Sequence, residues 1–304
     1  MAQFKTRARA LDLLGRQQIA GIPTAINELI KNAFDAYADH FDASYLRVKD
    51  MLVLRDDGIG MSREDFENRW LTLGTESKSR DQRPYLPKDL EKSPRPVTGE
   101  KGIGRLAIAS IGSQVLILTC PKYGDNKSIV GCFINWELFE IPGVNLEDLL
   151  IPVKEFSHFP DGDDISSLTD DAIDSLSSLY QTGRVSRTIF ENIKKSIESF
   201  SLDPVELSNK LEGRFLLSNT TSGTHFYIAP VAETLASDIE RSKDSDDATK
   251  MEKTLLGFHN SMIPEEGSPQ IDISFRDYRS DDGSYISIID KWKIPSKVVP
   301  SFRT

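Results

Sequence analysis

The sequence predicts an α+β protein, and three observations carry that expectation. An amphipathic helix is written across residues 26 to 37, with Ile26, Leu29, Ile30, Ala33, Phe34 and Tyr37 gathered on one side. Apolar runs come as two adjacent strand pairs, ASYLRV with MLVLRD and QVLILTC with SIVGCFINW. From about residue 140 to 212 the pattern turns mostly helical, unlike the strands on either side.

Each element has a local cause. ARALDLLGRQQIA suggests a first helix, broken at Gly21-Ile22-Pro23, and Pro23 suits the first turn of the next. The first strand pair turns at Lys49-Asp50, and Gly58 and Gly60 end its second strand. SREDFENRWLTLG reads as a helix with Ser62 as N-cap and Asp65 at its third position. From Glu76 to Lys101 periodicity fails in a Lys-, Arg- and Pro-rich stretch, the profile of a lid or binding loop. GRLAIASIG resumes as a helix, and the second strand pair is a hairpin around KYGDNK. The acidic run DGDDISSLTDDAIDSL, inside the helical region, reads as a solvated face. GTHFYIAPV is a strand, a charged helix pair with a polar break follows, and DGSYISIIDKWKIP is a further strand.

The chain has 304 residues, a formal charge of −10, 38% hydrophobic and 28% charged residues. That is the profile of an ordinary globular protein with length for a sizeable core. The acidic balance argues against an autonomous, nonspecific grip on nucleic acid or anionic membrane, while leaving room for a local basic groove. Two cysteines, Cys120 and Cys132, are too few for a disulfide framework or zinc site and read as buried thiols. The N-terminus has no apolar signal region, and no run reaches membrane-span length, so a cytoplasmic protein is expected.

Four short features carry chemistry. The first is Glu28-x-x-x-Asn32-x-x-Asp35-Ala36 on the polar face of the amphipathic helix. Asn32 offers an amide oxygen suited to Mg²⁺, and Glu28 a carboxylate that could polarise a water. Alone, such a face more often meets solvent. The second is Asp56-Asp57-Gly58-Ile59-Gly60-Met61 at a strand end, where a carboxylate can accept from an exocyclic amine and glycines admit close approach. A plain Asp-Gly turn reads the same way. The third is Gly99-Glu100-Lys101-Gly102-Ile103-Gly104-Arg105 before a helix, a phosphate cradle of backbone amides or a loop closing on a helix start. It lacks the P-loop ending. Gly102 to Ala107 fits a dinucleotide fingerprint, but a Pro-rich stretch stands where that needs a strand. The fourth is Ser222-Gly223-Thr224, whose hydroxyl could support Asp56 and which alone is ordinary turn chemistry.

In this order the four features resemble the GHKL superfamily: gyrase, the ninety-kilodalton heat-shock chaperone, histidine kinases and MutL. The resemblance runs from about Leu11 to Pro230, setting the helical region aside, and LGTESKS resembles the entry to the ATP lid of chaperone-like and MORC-like members. It implies a two-layer helix/sheet sandwich, the Bergerat ATP-binding fold, with a helical insertion at about 140–212 and an ATP lid at about 76–101. It implies ATP and Mg²⁺ as ligands, with Glu28 as general base and Asn32 on the metal. Asp56 would read adenine beside Gly58, Gly60 and Met61, with Thr224 behind it. Gly99, Lys101, Gly102, Ile103, Gly104 and Arg105 would wrap the phosphates, and Lys78 and Lys101 are candidate γ-phosphate contacts.

The resemblance is nearest the chaperone, MutL and MORC branch, in proteins such as those of bacteria. That implies slow Mg²⁺-dependent hydrolysis, lid closure, a nucleotide-dependent homodimer and a protein partner not legible here. The rival is an ATP-gated assembly module with negligible hydrolysis, in DNA transactions or phage defence. A histidine-type kinase is less favoured, because no phospho-accepting hairpin precedes the motif. The expected division is an ATP-binding domain over 1–270 and the start of a transducer-like domain over 271–304, cut short. Lys291, Lys293 and Lys297 lie there without an assignable role.

Overall fold

The computed structural model describes residues 5–17, 19–73, 92, 95, 104–124, 127–211, 217–218, 220–240, 247–261 and 271–288. Among them, the strands are β1 (His40–Leu46), β2 (Met51–Asp56), β3 (Gln114–Cys120), β4 (Ile129–Asn135), β5 (Val153–Phe156), β6 (Gly223–Ile228), β7 (Asp272–Tyr278) and β8 (Tyr285–Ser287). They form one mixed sheet in the order β5-β4-β3-β6-β2-β1-β7-β8. Neighbours are antiparallel except β1 and β7, which run parallel. The helices are α1 (Arg9–Asp12), α2 (Ile22–Asp35), α3 (Arg63–Asp65), α4 (Ile108–Ile111), α5 (Gly162–Gln181), α6 (Arg187–Glu198), α7 (Pro204–Lys210), α8 (Thr234–Ile239) and α9 (Lys250–Ser261). This is the α+β sandwich that the sequence predicts.

Both expected hairpins form. The β1–β2 turn places Asp50 at φ 47°, a left-handed position that Asp tolerates better than most residues. The β3–β4 pair closes in register from Gln114 opposite Asn135 to Thr119 opposite Val130. The first helix is short, since α1 passes into a π-helical turn at Leu13–Gln17. Gly15 in that turn allows close packing: a β-carbon there would stand 2.7 Å from the Leu106 carbonyl oxygen. Ser62 caps α3 as expected, in a capping box with Asp65. A π-helical turn, Phe66–Trp70, extends it.

The helix α2 buries Ile22, Ala25, Ile26, Leu29, Ile30, Ala33 and Phe34. Each fully buried Ile, Leu or Phe contributes about 1.5–3 kcal/mol, enough to fix the helix rotation and hence the direction of its polar face. It packs in one layer with α4, α8 and α9.

The region 140–212 holds α5, α6 and α7 together with β5, which pairs with β4 at the sheet edge. α5 is capped by Asp161 and buries Ile165, Leu168, Ala172, Leu176 and Leu179, while Asp161, Asp163, Asp170, Asp171 and Asp174 face solvent. Its acidic run is therefore a solvated face. Phe133 packs on Phe200 with ring centroids 5.0 Å apart, and the Gln114 and Asn135 amides bond Ser196. Gly131 lets this layer approach, because a β-carbon would stand 2.7 Å from the Phe156 ring and 3.3 Å from Leu168.

β7 is a sheet member. Residues 272–278 pair along the length of β1, so the expected division at 270/271 does not coincide with an edge of the sheet. β8 covers part of the further strand expected before the chain end, and Lys291, Lys293 and Lys297 lie outside the described residues.

Candidate nucleotide site

The helix α2 starts at Gly21, whose φ of 92° turns the chain into it, and Pro23 occupies its first turn. With its apolar stripe buried, Glu28, Asn32 and Asp35 remain half-buried on the polar side, joined by Lys31. The Lys31 ammonium stands 2.7 Å from Glu28 Oε1. The other oxygen meets a different element: a β-carbon on Gly104 would lie 2.8 Å from Glu28 Oε2. Gly104 opens the 3₁₀ turn Gly104–Ala107 that leads into α4. The first and third sequence features therefore meet at a carboxylate.

The Asp56 turn is built against the end of α2. Gly58 N–H donates to Asp56 Oδ1 at 2.9 Å, and Ile59 N–H donates to the Ala36 carbonyl at 2.9 Å. A β-carbon on Gly58 would meet both Ala36 and Asp56 within 3.0 Å. Gly60 has φ 59°, and a β-carbon there would stand 1.9 Å from the Cys120 carbonyl oxygen. The turn is also pinned by Ser222 Oγ on the Gly58 carbonyl and Lys122 N–H on the Ile59 carbonyl, both at 2.8 Å.

The paired aspartates diverge. Asp57 accepts from the Asp39 and His40 backbone N–H groups at 2.8 Å, and the His40 ring lies 2.7 Å away. Asp56 stays inside, only 6% exposed. Burial pushes its carboxyl up to about 7; the Gly58 N–H pulls the other way, Asp57 adds to the rise, and the Thr224 backbone opposes it.

Thr224 pairs with Asp56 across β6 and β2. Its hydroxyl lies 3.1 Å from that of Thr119, which takes the Met61 N–H and bonds the Gly223 carbonyl, each at 3.0 Å. Thr119 thus ties Met61 to Thr224. Sequence reasoning passed it over because LILTC reads as plain core strand; the hydroxyl at its far end was the signal. Lys31 was also missed, although three residues from Glu28 is a helical neighbour position.

The remaining candidates divide. Lys78, Gly99, Lys101, Gly102 and Ile103 lie outside the described residues. Arg105 donates to the carbonyls of Arg69 and Thr72, so its guanidinium braces the end of the α3 segment instead of facing Glu28. From the expected lid, Lys92 and Arg95 are described, and both sit on the C-terminal end of α2. Asn32 offers a hard oxygen donor beside two carboxylates on one helical face, which fits a magnesium ion carried in on phosphates. Among the described residues no group of three or more His, Cys, Asp or Glu is placed to hold a metal alone.

The arrangement is a buried carboxylate in a glycine-opened turn, a second carboxylate against a glycine-started helix, and an amide one helical turn away. Residues 21–141 match the family model for histidine kinase-, DNA gyrase B- and HSP90-like ATPases. This stretch is therefore similar to the ATP-binding domains of the GHKL superfamily. The chain is also 37% identical over 93 residues to a Herpetosiphon aurantiacus protein named "Putative type II restriction enzyme HgiDII". The matched stretch covers 31% of this chain and 14% of that relative. Among the described residues no helix is long and apolar enough to cross a membrane.

Proposed function

We propose that this domain binds ATP with Mg²⁺ and hydrolyses it slowly. Adenine enters beside Asp56, Gly58, Gly60 and Met61, with its exocyclic amine donating to Asp56 and Thr224 supporting that carboxylate. The phosphates run towards Gly99, Lys101, Gly102, Ile103 and Gly104, with Lys78 and Lys101 near the γ-phosphate and Arg105 joining through its backbone. Asn32 would hold the magnesium ion, which supplies positive charge at the phosphates. Glu28 takes a proton from a water, whose oxygen attacks the γ-phosphorus. The bond from that phosphorus to the bridging oxygen breaks, and ADP leaves.

The close approach of Glu28 and Gly104 supports this reading, because it sets the carboxylate against the turn that leads into α4. Closure of the segment 76–101 and homodimerisation would follow ATP binding, as in chaperone-like and MORC-like relatives. The module would work in the cytoplasm. The test is direct: Glu28→Ala retains ATP binding and loses turnover, while Asp56→Asn weakens binding. Unchanged turnover in Glu28→Ala would remove the general base.

A second reading is an ATP-gated assembly module with negligible hydrolysis, favoured by the relative named as a restriction enzyme. In it the domain serves DNA processing through a partner, since a net charge of −10 gives it no general attraction for DNA. Phosphate release together with sizing in ATP and in ADP separates the two.

A further inference from the structure

We infer that Lys31 is a positioning residue for Glu28, an inference that rests on the hydrolytic reading above. Lys31 follows Glu28 by three positions on α2, and its ammonium lies 2.7 Å from Glu28 Oε1. The opposite oxygen faces Gly104, where a β-carbon would stand 2.8 Å from Oε2. The carboxylate is thus bonded on its own helix and has room on the side of the 3₁₀ turn at Gly104. Lys31 engages Oε1, which leaves Oε2, at the Gly104 side, as the oxygen that receives the proton of the attacking water.

A general base works only within hydrogen-bond reach of that proton, and a displacement of about 1 Å can cost about 100-fold in rate. A long glutamate side chain with three free torsions does not hold such a position unaided. The pair is 29% and 28% exposed, a setting in which ion pairs add little to folding. Its consequence should therefore fall on turnover and not on stability.

The experiment uses the full chain with Mg²⁺ and ATP. Lys31→Met is expected to lower kcat about 10- to 100-fold while ATP and ADP affinities stay within about twofold. Its thermal midpoint should match the parent. Lys31→Arg should recover most of the rate, because a guanidinium can reach the same oxygen. In a Glu28→Gln background, Lys31→Met should change nothing further, the signature of a residue acting through Glu28. Turnover of Lys31→Met within twofold of the parent would overturn the inference while Glu28→Ala still tests the general base. A loss of ATP affinity without loss of ADP affinity would overturn it in favour of a direct γ-phosphate contact. A parent chain without turnover would overturn the hydrolytic reading and this inference together.

Discussion

Gly104 lies against Glu28 so closely that a β-carbon on Gly104 would stand 2.8 Å from the Glu28 carboxylate. The nearest atom is the far end of a flexible side chain, so Gly104→Ala need not unfold the protein; it needs only to push the carboxylate aside. Expected outcomes are a kcat reduced about 10- to 100-fold and a denaturation midpoint near that of the parent. Steady-state phosphate release with a thermal melt checks both. A Gly104→Ala variant with parental kcat would show that the Glu28 position does not matter to the rate.

In the adenine contact proposed above, Asp56 makes nucleotide binding depend on pH. Burial raises its carboxyl to about 7, and its ionised form is the stronger acceptor for the adenine amine. Affinity should therefore rise with pH up to about 7 and then level off, falling towards tenfold per unit below it. Adenosine is the proper probe, since it carries no phosphate to titrate. Asp56→Asn should bind more weakly and lose this slope. The same shift acts on folding with a definite sign. The folded carboxyl holds its proton more tightly than the unfolded one, so the contribution of Asp56 is fully present below the ordinary carboxylate range. It is lost as pH rises from about 4 to about 7, by a few kcal/mol. Titration of adenosine binding and of urea unfolding across that range tests both statements.

On the opposite face of the sheet Asp42 is 1% exposed and gathers four donors: Arg55 at 2.6 Å, Ser44 at 3.0 Å, Ser274 at 2.6 Å and Arg276. Ser274 and Arg276 belong to β7, so this carboxylate ties the parallel strand to the β1–β2 hairpin. Removing one member of a buried charged network leaves the others uncompensated and costs about 3–5 kcal/mol. Asp42→Ala should lose that much in urea unfolding, with protection of β7 amides from hydrogen exchange falling first. A loss below about 1 kcal/mol would show that the strands hold without it.

Local signals made much of this molecule legible. Ser62, the Asp50 turn and the α2 stripe act within a few residues, so the α+β class and most elements could be read directly. The turn at Asp56 was legible for the same reason, since Gly60 at φ 59° and the Gly58 N–H on Asp56 are local features. β7 was not singled out, although Ile271, Ile273 and Phe275 alternate. Between and beyond them stand Asp272, Ser274, Arg276 and Asp277, which read as surface, yet Asp277 is fully buried against Arg47 and Arg279. Arg47 stands 230 positions away, and no local pattern reports such a pairing. Arg105 shows the same limit within the site. Beside Gly104 it reads as a phosphate ligand, but the carbonyls of Arg69 and Thr72, brought close only by folding, take its guanidinium.

Arg95 binds the C-terminal end of α2. It is 5% exposed, donates to the carbonyls of Phe34 at 3.1 Å and Ala38 at 2.7 Å, and lies 4.6 Å over the Phe34 ring. Asp39 stands 3.5 Å away, and Lys92 bonds the same carboxylate and the Tyr37 carbonyl. A cation at a helix C-terminus satisfies carbonyls that the helix leaves unbonded and opposes the negative end of its dipole. In sequence the proposed phosphate-binding glycines begin four residues after Arg95, which ties this anchor to phosphate binding in the reading proposed above. Arg95→Ala should cost about 1.5–3 kcal/mol of stability, the range for hydrogen bonds that involve a charged group. Arg95→Lys should recover less than half, since an ammonium cannot bridge both carbonyls and stack on Phe34. The discriminating measurement compares ligands: ATP affinity should fall severalfold more than adenosine affinity. Equal losses for both ligands would reduce Arg95 to a support of the fold as a whole.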